Sequence, residues 1–433
     1  MIMKSIFQFK KIVPIAGLLA VGVFVVVASS LLSGTTPSAQ VAAVAMSTAS
    51  ACGITDEPLN VKNFGATGDG VTDDTSAFQA AADCARVQFA SDKAGIANVA
   101  VYLPQGTYKL TSPITFRLPR PPRGGGFALF GDGRTQTTIM TSGADAFRIT
   151  TVDDVNGGTP GVHDFVNVHD MSFRATGSGG SAIAVYPVDS SGTELTGTST
   201  GLTLVDVDRL NITGPFSYGV KMTSVTRSQI TDVAMIGTNA NACFYFGRSY
   251  GGAVAKSSCS GATIGMHIPE AGEGGSMIDS TITNVDTAIR MEYGESISNS
   301  GGNIDGNVFE AKVRAVDLNY KRAVRITGNT FKKHSSAASA YHDIHLTDTK
   351  NIMMYGNTFV GSGAGRTGIA FVRSGAIPPA ADYPSIIAKN TFGALGTGIS
   401  VGANVRRTYI YSNTFNSTAT PVVDNGTNTY YRP

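Results

Sequence analysis

Residues 306–331 read GNVFEAKVRAVDLNYKRAVRITGNTF, a stretch that opens and closes on one signature, Gly306-Asn307-Val308-Phe309 and Gly328-Asn329-Thr330-Phe331. The signature returns as Gly356-Asn357-Thr358-Phe359, Lys389-Asn390-Thr391-Phe392 and Ser412-Asn413-Thr414-Phe415. Its intervals are 22, 28, 33 and 23 residues. A short period with occasional longer steps means stacked coils joined by loops of variable length. Each Phe is expected to point inward and stack on the next. Each Asn is expected at a bend, bonding along an internal ladder. Weaker copies precede these at Asp170-Met171-Ser172-Phe173, Asp208-Arg209-Leu210 and Asp279-Ser280-Thr281-Ile282.

A second column lies between these signatures. Its rungs are Ala146-Phe147-Arg148-Ile149, Ala182-Ile183-Ala184-Val185, Gly219-Val220-Lys221-Met222, Cys243-Phe244-Tyr245-Phe246 and Gly265-Met266-His267-Ile268. It continues through Ala288-Ile289-Arg290-Met291, Ala315-Val316-Asp317-Leu318, Asp343-Ile344-His345-Leu346, Gly368-Ile369-Ala370-Phe371 and Gly398-Ile399-Ser400-Val401. The pattern is small, apolar, variable, apolar. It alternates inward and outward as a strand must. Two interleaved columns give at least two strands per coil, which is an all-β parallel solenoid.

Nearer the start, Leu59 to Ala85 reads LNVKNFGATGDGVTDDTSAFQAAADCA. A strand at Val61 and Phe64 leads to a turn-rich loop, and Asp73 or Asp74 caps a helix from Thr75. Ala77, Phe78, Ala81, Ala82 and Ala85 form its apolar stripe, which fits a cap over the first coil. Asp69, Asp73 and Asp74 are read as turn and cap residues. The tail after Phe415, with Tyr430 and Tyr431, is expected to close the far end.

The elements Asn63-Phe64-Gly65-Ala66, Gly68-Asp69-Gly70 and Asp73-Asp74-Thr75 resemble the opening of the rhamnogalacturonase/epimerase-like pectate-lyase superfamily. Leu103-Pro104-x-Gly106-x-Tyr108 and Gly131-x-Gly133 follow in the order of that superfamily. The resemblance implies a single-stranded right-handed parallel β-helix, pectin-lyase-like, with an N-terminal capping helix. It also implies a polysaccharide as partner. The catalytic motifs of its best-defined members do not transfer. Gly-His-Gly and Arg-x-Lys of polygalacturonase-like hydrolases are missing, as is Asp-Pro-His-Asp of alginate epimerases.

The bulk composition agrees with this reading. Among 433 residues, Gly reaches 51, charged residues stay at 15% and apolar residues make up 42%. That suits a turn-rich β protein and excludes a disordered one. A net charge of +2 gives no footprint for nucleic acid. Lys4, Lys10 and Lys11 precede an apolar run from Ile12 to Leu32, so residues 1–52 read as a signal peptide or membrane anchor with a linker. Residues 53–433 form the β-helix domain, placed in the secreted or cell-envelope space. Four cysteines in an exported chain suggest two disulfides. Three connectivities are open, and Cys52–Cys84 with Cys243–Cys259 is the favoured one. No zinc spacing is present, and the scattered carboxylates give calcium no cluster. No metal or cofactor is therefore expected, with calcium left as an unsupported alternative.

The outward column runs Arg148, Ala184, Lys221, Tyr245, His267, Arg290, Asp317, His345, Ala370, Ser400. Two residues further along lie Glu292 and Asn319, and beyond the strands Arg248, Glu270, Tyr293, Tyr320, Asp348 and Arg373. Rungs about 4.8 Å apart match the repeat of a pyranose chain. The catalytic candidates are Tyr245, His267, Arg290, Glu292 and Asp317. Lys221, Arg248, Glu270, Asn319, Tyr320 and His345 are the substrate-binding candidates. For β-elimination, Arg290 with Lys221 neutralises a uronate, His267 is the base and Tyr245 the acid. For hydrolysis, Glu292 and Asp317 form the carboxylate pair, with Glu270 as a third candidate. An epimerase shares the first half of the lyase chemistry. A non-catalytic carbohydrate-binding or envelope-structural β-helix is the alternative.

Overall fold

The computed structural model describes residues 52, 58–91, 98–118, 126–152, 165–189, 191–194, 204–269, 274–292, 301–361, 363–373 and 383–433. The expected leader or anchor lies outside the described residues, apart from Cys52. Each coil lays down three strands, one more than the two columns read from sequence. Every pairing between named strands is parallel, and the fold is a right-handed parallel β-helix.

The first sheet begins with Leu59–Asn60, Asn98–Leu103 and Gly126–Gly131. The second begins with Asp69–Asp73, Gly106–Leu110 and Thr137–Thr141, and the third with Ile114–Leu118 and Phe147–Val152. Some strands run through two or three sheets without interruption. Gln229–Gly247 pairs in the first sheet at Gln229, in the second at Ala234 and in the third at Phe244. The helix α1, Thr75–Ser91, buries Phe78, Ala81, Ala82 and Ala85 and covers the first coils. Asp73 receives the Thr75 N–H at 3.0 Å as its cap, and buried Asp74 accepts from Thr67 N–H at 2.7 Å.

The second sheet carries the aromatic column. Phe309, Phe331, Phe359, Phe392 and Phe415 occupy paired positions, with ring centroids 5.5, 4.8, 4.6 and 5.0 Å apart. Earlier coils place Ile139, Phe173, Ile212, Met235, Cys259 and Ile282 on the same line. One weak copy therefore shifts by two residues. Leu210 pairs with Met171, and Ile212 is the true partner of Phe173. Both are inward apolar residues two apart, so strand alternation alone did not separate them.

At the bend between first and second sheets the Asn ladder is present. Asn329 Oδ1 accepts both the N–H and the Nδ2 of Asn307 at 2.9 Å, and Asn357, Asn390 and Asn413 repeat the contact. Upstream, Ser280 and Ser257 stand in the same line, the Ser280 N–H donating to Asn307 Oδ1 at 2.9 Å.

In the third sheet all ten rungs pair in the expected register, from Arg148 with Ala184 to Ala370 with Ser400. The small position of each rung faces the second sheet's large side chains. A Cβ on Gly398 would stand 2.5 Å from the Phe415 ring. Asp343 occupies one of these small positions and is fully buried. Arg366, equally buried, meets it with two hydrogen bonds of 2.8 and 2.7 Å and donates further to Val360 O and Phe331 O.

The two favoured disulfides, Cys52–Cys84 and Cys243–Cys259, are both formed. The tail after Phe415 corrects an expectation. Thr420–Asp424 and Tyr430–Arg432 pair in parallel with the preceding strands, adding rungs instead of folding across the end.

Candidate functional site

The outward face of the third sheet collects most of the predicted residues. Strand alternation puts one side chain per coil in its central column, so Lys221, Tyr245, His267, Arg290, Asp317 and His345 follow one another along six successive rungs. A second outward column lies three residues earlier on each rung. It contains Tyr218, Ala242, Ile264, Thr287, Arg314 and His342, of which Ala242, Ile264 and Thr287 are buried under their neighbours. The buried small–apolar pair between the columns turns the chain at the corner, so positions three apart share the outer face.

Asp317 is the best-held group here. Arg314 Nη1 donates to its Oδ2 at 2.8 Å, and His345 Nδ1 lies 3.1 Å from its Oδ1. Burial alone would raise its carboxyl. The His345 hydrogen bond and the Arg314 charge outweigh that and hold it below the usual carboxylate range. His342 packs against His345 with ring centroids 5.6 Å apart, and burial pushes its imidazole down.

His267 sits one rung from Arg290. Its Nε2 lies 3.2 Å from Glu292 Oε2, and Tyr245 meets its ring edge-on at 5.6 Å. Burial lowers the His267 imidazole, with Glu292 opposing and Arg290 adding to the effect. Arg290 stands between the two carboxylates. Its Nε is 3.5 Å from Asp317 Oδ2 and 3.9 Å from Glu292 Oε1, so those oxygens are at most 7.4 Å apart. Among the described residues the Arg290 Nε is buried without a hydrogen-bond partner.

The remaining candidates divide. Lys221 is three rungs from Arg290 and is paired with Glu194 at 3.0 Å, so it stands apart from the Arg290 centre. Asn319 lies on the strand beyond Asp317, with its Oδ1 buried and unpartnered. Arg248 and Tyr320 fall in the turns after the strands, both with left-handed backbone at φ 48 and 52. Glu270 lies outside the described residues, as does Tyr293.

Sequence reasoning missed a cavity of about 340 Å³ at the Lys221 end, lined by Asp145, Arg148, Tyr186, Glu194, Tyr218 and Lys221 among others. Ala184 forms its floor between Arg148 and Lys221. Tyr218 meets Tyr245 edge-on at 5.1 Å, which joins the cavity to the His267 rung.

The family model described as rhamnogalacturonase A/epimerase, pectate lyase-like, matches residues 59–309, more than half of the chain. The chain belongs to this family. A second model, described as periplasmic copper-binding protein (NosD), matches residues 270–433. No curated protein matches this pectate lyase-like chain. Among solved structures, it is similar to the A-modules of the Azotobacter vinelandii mannuronan C-5 epimerases AlgE6 and AlgE4. Identity is 16% in both, with TM-scores of 0.64 and 0.61. The alignments cover 87% of this chain and 99% and 100% of those chains. The N-terminal fragment of bacteriophage phi29 gene product 12 is also similar, at 15% identity and a TM-score of 0.52, over 84% of this chain and 71% of that one. At such identities the likeness shows the fold alone.

Among the described residues no three His, Cys, Asp or Glu side chains come together as a ligand set, and all four cysteines are in disulfides.

Proposed function

We propose that the protein is an exported enzyme that cleaves an acidic polysaccharide by β-elimination on the outward face of the third sheet. Arg290 carries this reading. It is a half-buried cation whose Nε has no hydrogen-bond partner, with Asp317 and Glu292 at 3.5 and 3.9 Å, one rung from a histidine whose proton affinity burial has lowered. A uronate carboxylate would take the Arg290 guanidinium. Neutral His267, donating Nε2–H to Glu292, keeps its lone pair on Nδ1 and removes the C5 proton. The C5–H electrons form the C4–C5 double bond as the C4–O bond breaks, and Tyr245 protonates the departing oxygen. Arg314 and His345 hold Asp317 ionised, which positions Arg290. Family membership and the two disulfides support the polysaccharide and the oxidising, extracytoplasmic compartment.

A second reading rests on one distance. Facing oxygens of Glu292 and Asp317 no more than 7.4 Å apart fit the span used by glycosidases. Asp317, held ionised, could then only be base or nucleophile, leaving Glu292 as the acid.

The test is a screen of acidic and neutral polysaccharides in D2O, following ultraviolet absorbance, reducing ends and deuterium at C5. Both absorbance and reducing ends should rise, and His267→Gln should cut the rate by about 10²–10⁴. Reducing ends alone would move the chemistry to Glu292 and Asp317. Deuterium without cleavage would mean epimerisation. Silence throughout would sink the enzyme reading in favour of a binding or structural role. The pH profile sharpens it further. Because burial depresses His267, the acid limb should lie below the ordinary histidine range. Glu292→Gln removes the interactions that raise it, so the limb should move lower still.

A further inference from the structure

The cations on this face differ in how closely their carboxylates hold them. Arg290 has Asp317 and Glu292 at ion-pair distance, 3.5 and 3.9 Å from its Nε, with neither hydrogen-bonded to that nitrogen. In the neighbouring cavity each cation is hydrogen-bonded to one carboxylate. Arg148 Nε is bonded to Asp145 Oδ2 at 2.7 Å, and Lys221 Nζ to Glu194 Oε2 at 3.0 Å and Oε1 at 3.3 Å. Asp145 is fixed in turn, since its Oδ1 accepts the Ser181 N–H at 2.7 Å.

Glu194 is also held. It returns to the strand end through a turn that closes with an antiparallel bridge to Val188. Asp189 Oδ1 accepts from the N–H groups of Ser191 and Thr193, both at 2.9 Å, and from Ser191 Oγ at 2.6 Å. An Asx turn at Asp189 thus precedes the carboxylate. Lys221 lies 5.7 Å from the centre of the Tyr186 ring, which further occupies its charge.

The cavity is therefore charge-balanced and lined by two tyrosines. A sugar carboxylate entering it would meet Glu194 and Asp145 and gain no free cation. Hydroxyl groups could bond both members of each ion pair, and a ring could pack on Tyr186 or Tyr218.

We propose that this cavity is a subsite for an uncharged sugar, with Glu194 as the residue that excludes a uronate from it. The inference rests on the groove reading above and refines it. The polymer would then carry a uronate at Arg290 and an uncharged residue some three rungs away, at Lys221. That describes a heteropolysaccharide, not a polyuronate.

The experiment is calorimetric binding to the full chain of two probes, a galacturonic acid tetrasaccharide and a tetrasaccharide of galacturonic acid alternating with a neutral hexose. The wild type should prefer the mixed probe. Glu194→Gln, nearly isosteric, frees the Lys221 charge and should raise affinity for the all-uronate probe by about tenfold, erasing that preference. Lys221→Met in the same background should remove the gain. Equal affinities in the wild type, no change with Glu194→Gln, or no binding of either probe would each overturn the subsite. Arg290→Ala is the separate control. If it leaves all-uronate binding untouched, the groove reading itself fails, whatever Glu194 does. If it weakens binding while Glu194→Gln has no effect, only the subsite fails.

Discussion

The bend between first and second sheets is built twice, with different chemistry in the two halves of the solenoid. In the early coils the left-handed corner residues are Asp170, Arg209, Asp232, Lys256 and Asp279, with φ between 48 and 60. Opposite charges follow each other, and Arg209 grips Asp170 at 2.7 and 2.8 Å. From Gly306 the corner residues are Gly306, Gly328, Gly356, Lys389 and Ser412, and the buried Asn ladder begins beside them. The backbone path is the same. The early half satisfies it with charge at the corner and, at Ser257 and Ser280, buried hydroxyls, the later half with buried amides in a low-dielectric lumen. Interior polarity separates the halves too, because the fully buried Asp343–Arg366 pair lies in the later one. The candidate site spans the seam, with Tyr245 and His267 before it and Asp317 and His345 after it.

If the later half depends on buried polarity, the largest effect should come from that ion pair. Arg366→Leu leaves a carboxylate in the lumen without its cation and strips donors from Val360 O and Phe331 O. It should cost about 3–5 kcal/mol in chemical denaturation. Replacing both partners with Leu should recover much of the loss. The pair also makes a pH prediction. Burial pushes the Asp343 carboxyl up to about 6, Arg366 offsetting only part of it. A raised carboxyl means that the folded state holds its proton longer. Asp343 therefore lowers stability as pH rises from the ordinary carboxylate value toward 6. Asp343→Asn should flatten that part of the stability profile relative to the wild type. An unchanged profile would show that Arg366 keeps Asp343 fully ionised.

The ladder comes next. Asn357 Oδ1 accepts from the Asn329 N–H and Nδ2 at 3.0 Å, and its own Nδ2 donates to Ile326 O at 2.8 Å and to Asn390 Oδ1 at 2.9 Å. Asn357→Ala leaves buried donors and acceptors unmatched and should cost about 2–3 kcal/mol. No ion is involved, so the loss should be the same at low and high salt. A salt-dependent loss would contradict the division between the halves.

The third-sheet register was readable because its rungs keep a strict small, apolar, outward, apolar order over ten coils, and a slip by one residue would have buried Arg290 or exposed Ile289. The Asn-x-Phe line was readable for the same reason. Three things were not. Tyr218, Arg314 and His342 stand three positions before the predicted column, where a period of two expects an inward residue. The corner breaks that period, and a recurring polar group at minus three was the available signal. Glu194 arrives from a turn whose path is not fixed by any repeat. Asp343 stood visibly out of place at a small position, but its partner Arg366 lies 23 residues on, and no spacing rule connects them.

The smallest expected effect tests the early half. Arg209 holds Asp170 at about 2, and it also pairs with Asp208 at 2.5 Å. Its side chain is 43% exposed, so water and salt screen most of that attraction. Arg209→Ala should therefore cost no more than about 1 kcal/mol, despite the close contacts. Because the contribution is Coulombic and near the surface, the cost should shrink toward zero in molar salt, unlike the cost at Asn357. Acid should act in the same direction. Asp170 has a lowered folded value, so its stabilisation is present above the ordinary carboxylate range and disappears as pH falls toward 2. The wild-type advantage over Arg209→Ala should fade over that window. A loss of several kcal/mol, insensitive to both salt and acid, would mean that the Arg209 stem packs the corner as Asn357 does, and the two halves would then differ in residues but not in physics.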